Sequence, residues 1–67
     1  MLIAWAFLCA VSASDCEHEA SARAIVGQGA TPIGCLMDGQ AGAAANEALR
    51  PGQGERVVIV CRRKVRP

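Results

Sequence analysis

Cys9, Cys16, Cys35 and Cys61 are the residues with the most chemistry in this 67-residue chain. Thiols pair as disulfides, attack as thiolates or bind metal, and spacing helps to decide which. No C-x-x-C pair is present, which argues against a thioredoxin-like dithiol. A zinc site wants about four ligands in paired spacing. Asp15-Cys16-Glu17-His18-Glu19 places potential ligands side by side. Adjacent side chains cannot all face one ion, so the run reads as a solvated acidic stretch and no metal is assigned. Nucleophilic catalysis needs a base beside a Ser or Cys. His18 is the single histidine, and no spacing sets it beside Cys35 or Cys61. No catalytic residue and no cofactor are assigned, and the chain reads as a non-enzyme.

Phosphate chemistry has one candidate. Gly27-Gln28-Gly29-Ala30-Thr31-Pro32 resembles the start of a Gly-rich nucleotide loop, but Pro32 replaces the third glycine of G-x-G-x-x-G. No Lys-Ser or Lys-Thr follows for a P-loop. The stretch reads as a strand-to-helix turn, with a helix N-terminus open to an anion.

What positions these residues depends on the opening, MLIAWAFLCAVSA. A bilayer-spanning helix needs roughly 20 apolar residues. This run is too short, but it fits the apolar centre of a secretory signal. Val11 and Ala13 supply the small residues of a cleavage site, which predicts a signal-like helix over 1–13 cut between Ala13 and Ser14. Lys and Arg, usual at the start of a signal, are absent here. Retention of the segment is the alternative and would attach a miniprotein to a membrane.

The remainder, 14–67, is a small single domain. It has no aromatic residue, because Trp5 and Phe7 leave with the signal. Domains of this size usually need staples, and a disulfide adds typically about 2–4 kcal/mol. The formal net charge of +1 hides an asymmetry. Asp15, Glu17 and Glu19 crowd one end, and Arg62, Arg63, Lys64 and Arg66 form a basic tail over 62–67. Export and the lack of stacking aromatics argue against nucleic acid. Charges flanking an apolar strand keep it soluble.

Ser21–Val26, stopped by Gly27-Gln28-Gly29, predicts a short strand, with the end of a helix begun near Ser14 as the alternative for Ala20–Ala24. Thr31-Pro32 is a helix N-cap followed by proline at the first helical position. The helix is expected from Ile33 or Cys35 to Leu49, with Met37, Ala41, Ala44, Ala45 and Ala48 along one small-residue face. Arg50-Pro51-Gly52-Gln53-Gly54 stops it. Arg56–Arg62, with four β-branched residues in a row, predicts a strand wanting cover on both faces, from a parallel sheet or a subunit interface. The expected fold class is therefore α/β or α+β: a minimal βαβ unit of short strand, Ala/Gly-rich helix and Val-rich strand.

A helix from Cys35 rising about 21 Å and a strand returning about 20 Å bring Cys61 back beside Cys35. That predicts a Cys35–Cys61 disulfide with Cys16 free, and Cys16–Cys61 as the alternative pairing. The expected protein is small, exported, periplasmic or secreted in a bacterium, disulfide-stabilised and non-enzymatic. It would act by binding an unidentified protein partner or by homo-oligomerising. The alternative is a thiol-active envelope protein that exchanges through Cys16.

Overall fold

The computed structural model describes residues 1–64. Its elements are β1 (Leu2–Ala10), α1 (Cys16–Glu19), β2 (Ala22–Gly29), α2 (Pro32–Ala44), a 3-10 turn (Glu47–Leu49) and β3 (Glu55–Arg63). Of the expected basic tail, Val65, Arg66 and Pro67 lie outside the described residues. The fold is a small α+β unit: one three-stranded antiparallel sheet, order β2-β1-β3, with α2 on one face.

The opening run is a strand and not a helix, which corrects the signal-like helix expected over 1–13. β1 is the middle strand, paired from Leu2↔Gly29 to Leu8↔Ala22 on one side and from Leu2↔Arg63 to Ala10↔Glu55 on the other. A short continuous apolar run suits a helix or a strand covered on both faces equally well. Here the neighbouring strands take its backbone groups, and Ala4, Ala6, Phe7, Leu8 and Cys9 are buried. Cleavage between Ala13 and Ser14 would take the middle out of this sheet.

The strand–helix–strand order of β2, α2 and β3 is present, but the unit is split. Both strands run antiparallel to β1, hence parallel to each other, and β1 is inserted between them.

Residues alternate across β1. Ala6 and Leu8 face α2 and pack with Leu49, flanked by Ala24, Val26, Val57 and Ile59. Phe7 and Cys9 point to the opposite face and pack with Cys16, flanked by Trp5, Val58 and Val60.

Thr31 caps α2, its Oγ1 accepting from Gly34 N–H at 3.0 Å, and Pro32 follows at the first turn. The helix ends at Ala44, ahead of the expected Leu49. Asn46 then turns the chain, its Oδ1 accepting from Ala48 N–H at 3.0 Å, and Leu49 drops into the core. The packed face also differs from expectation. Met37 is 66% exposed, and Ala41, Ala44 and Ala45 are exposed. Cys35 and Gly39 are buried instead, with Gly42 and Ala43 half-buried. The cause is backbone approach. A Cβ on Gly42 would lie 1.8 Å from the carbonyl oxygen of Val26, and one on Gly39 would lie 2.7 Å from Ala4 Cβ.

This predicts a sign. On helix propensity alone, Gly42→Ala would stabilise by up to about 1 kcal/mol. Here it forces α2 off β2 and should destabilise, by roughly 1–3 kcal/mol, the usual cost of overpacking. Urea unfolding of the oxidised chain measures the difference.

Candidate functional site

All four cysteines are paired. Cys35 joins Cys61 with Cα atoms 6.3 Å apart, and Cys9 joins Cys16 at 5.5 Å. Cys35–Cys61 ties the first turn of α2 to β3, where the antiparallel return of helix and strand brings the two together. Cys16 is not a free thiol and does not pair with Cys61, so the thiol-exchange reading loses its nucleophile. Cys9, assigned to the departing segment, is its partner. The reason lies in β1: once Leu2–Ala10 forms the central strand, Cys9 projects onto the face that α1 covers. An odd count of three cysteines was the available signal, because keeping Cys9 makes the count even.

The face of the sheet opposite α2 carries the densest set of interacting side chains. Phe7 is 3% exposed at its centre. The Arg23 guanidinium from β2 and the Arg62 guanidinium from β3 sit 5.9 and 6.0 Å from its ring centroid. Trp5 stacks beside it, centroids 6.3 Å apart. Arg62 also forms an ion pair with Glu17 on α1. Beyond Trp5 the face is open, as a hollow lined by Ile3, Trp5, Ile25, Arg62 and Lys64, with Ile25 59% exposed. An aromatic and aliphatic floor under a basic rim is suited to contact with a partner carrying apolar and acidic groups.

The acidic run closes on itself. Asp15 caps α1, with Oδ1 accepting from His18 N–H at 3.4 Å and Oδ2 lying 2.6 Å from His18 Nδ1. Asp15 N–H donates in turn to Glu19 Oε2 at 2.9 Å. The His18 contacts hold the Asp15 carboxyl below its ordinary value of 3.8. Among the described residues, no group of three or more His, Cys, Asp or Glu is placed to hold a metal.

The glycine stretch serves packing. A Cβ on Gly29 would lie 2.4 Å from Cys35 N, and one on Gly27 would lie 2.8 Å from the Asp38 carbonyl carbon. The α2 backbone fills the space that a side chain would take at both. Asp38 Oδ2 further accepts from Gln28 N–H at 2.9 Å. A second concavity, a groove of about 550 Å³, runs between the end of α2 and β3 over Leu49, Val57 and Ile59.

No family model, curated protein or solved structure matches the chain.

Two predictions follow from this geometry. Loop-closure entropy assigns about 3.5 kcal/mol to a loop of 26 residues and about 2.4 kcal/mol to one of 7. Replacing Cys35 and Cys61 together by Ser should therefore cost about 1 kcal/mol more than replacing Cys9 and Cys16, read by denaturant unfolding. Asp15, with its folded pKa depressed, supports α1 above the ordinary carboxylate range. That support is lost as pH falls through the folded value. The His18 amide resonance should titrate there, at lower pH than the carboxyl of an unfolded peptide.

Proposed function

We propose that the protein is a small, disulfide-stapled, non-enzymatic binding protein of an oxidising compartment, with residues 1–13 retained in its working form. The observation that carries this reading is the use of all four cysteines as staples on the sheet, two of them on or beside the opening run. Disulfides persist in oxidising surroundings. The bacterial envelope is one such compartment. The cysteines are paired, so among the described residues no free thiol is available as a nucleophile. What the fold offers instead is surface, namely the open Trp5 face with its basic rim and the uncovered strand β3.

Retention of the opening run does not make it a membrane anchor in this reading, because it is the middle strand of the sheet and Ala4, Ala6, Phe7, Leu8 and Cys9 are buried. Among the described residues no helix is long and apolar enough to cross a membrane.

Intact mass with and without thiol alkylation, on protein recovered from a bacterial periplasm, tests this reading. The expected species contains Leu2–Ala13 and takes up no alkylating agent until it is reduced. A chain starting at Ser14, or one with free thiols before reduction, contradicts it. Reduction should also abolish the cooperative urea transition, and a reduced chain that unfolds like the oxidised one would contradict the role given to the staples.

A further inference from the structure

The two edges of the sheet are treated differently, and the difference identifies a partner. Unpaired strand edges invite pairing with another chain, and folds usually blunt them. The β2 edge is blunted three times. Ala4 pairs with Gly27 and Trp5 with Ile25, so Val26 is an extra residue and β2 carries a bulge. The backbone of Gln28 is capped by Asp38. Gly42 brings α2 against the Val26 carbonyl.

The β3 edge has none of these devices. It is nine residues long, in unbroken register with β1, and without Pro or Gly. Lys64 N–H bonds Met1 O and Val11 N–H bonds Gly54 O. By antiparallel alternation, residues 56, 58, 60 and 62 then turn their backbone groups to β1, and 55, 57, 59, 61 and 63 turn theirs outward. No backbone hydrogen bond between elements reaches Val57, Ile59 or Cys61 from that side among the described residues. Despite the apolar run, every residue from Val57 to Cys61 is only half-buried.

The strand is self-complementary. Antiparallel pairing of two copies about Ile59 sets Ile59 against Ile59 and Val57 against Cys61 at outward-facing, hydrogen-bonding positions, and Glu55 against Arg63 at the ends, where the Glu55 N–H is already given to Gly52 O and the pair meets through its side chains alone. Opposite charges meet at both ends. Parallel pairing would set Glu55 on Glu55 and Arg63 on Arg63. The antiparallel register also sets Arg56 beside Arg62, but Glu17 already neutralises Arg62.

We propose that a second copy of this chain occupies the β3 edge, giving a two-fold dimer with one continuous sheet, β2-β1-β3-β3-β1-β2. This deepens the binding reading above and rests on it. The axis passes between the two Ile59 residues, normal to the sheet. Both α2 helices therefore lie on one face, where the two grooves floored by Val57 and Ile59 adjoin. Both Trp5 faces lie on the other and form one wider surface. A nine-residue edge is a small interface, so half-dissociation belongs in roughly the micromolar range.

Sedimentation velocity of the oxidised full chain, over a concentration series, tests the dimer. The wild type should move from 7.0 kDa to twice that mass. Arg63→Glu turns two attractions into two repulsions and should raise the dissociation constant roughly tenfold or more. Glu55→Lys should do the same, and an equimolar mixture of these two variants should dimerise again. A synthetic chain with an N-methyl group on Ile59 loses the central outward donor, keeps every side chain and the ladder to β1, and should stay monomeric. A wild type that is monomeric throughout, an assembly that grows past the dimer, or a dimer indifferent to Arg63→Glu and to the N-methyl group overturns the proposal. A monomer with both disulfides intact removes the dimer alone, whereas free thiols in the recovered protein remove the stapled reading beneath it.

Discussion

β1 is hydrogen-bonded along both edges and buried from Ala6 to Cys9 on both faces. Its side chains are small where α2 crosses it, at Ala4 and Ala6, and large where the opposite face would otherwise be open, at Trp5 and Phe7. The small residues let α2 come down until its glycines meet the backbone of β2. That close seating sets the height at which Cys35 reaches Cys61. On the other face, Cys9 of the same strand anchors α1, and α1 supplies Glu17 to hold Arg62 over Phe7. Both staples and both small cores therefore depend on one strand.

The thinness of those cores explains the rest of the design. The buried apolar set contains one Phe and two Leu, and its other members are Ala and Cys. A unit this small gains little from burial against the cost of ordering its backbone. Two disulfides act largely on the unfolded chain, by removing conformations it would otherwise explore. The arginines contribute in a different way, covering Phe7 with their planar groups while their charges stay in water.

Local chemistry was legible where one residue type carries one meaning. Thr31-Pro32 is the start of a helix because a hydroxyl acceptor and a missing N–H suit no other position so well. The β-branched run in β3 is of the same kind, whereas the Arg50–Gly54 turn is present but does not end α2, which stops at Ala44. Helix α2 was legible in place but not in orientation, because Ala and Gly differ too little in hydrophobicity to mark a face. Only close backbone approach separates them. The helix expected over the opening run was the largest misreading. An apolar stretch bounded by small residues meets the requirements of a secretory signal and of a fully covered central strand alike. What distinguishes them is whether neighbouring strands exist to pair with it, a long-range fact. The three cysteines left by removal, an odd number, and the missing Lys or Arg at the start were the local signs of that fact.

The account stands on β1 being the most secure element of the folded molecule, not a leader beside it. Amide hydrogen exchange on the oxidised full chain measures this directly, because exchange through global opening is confined to groups that local fluctuations do not free. The amides of Ala4, Ala6 and Leu8 should be among the slowest, matching the global unfolding free energy, with the outward amides of Val57 and Cys61 faster at concentrations low enough for a monomer. Free exchange across Leu2–Cys9, with protection kept in α2 and β3, would contradict the account at its centre.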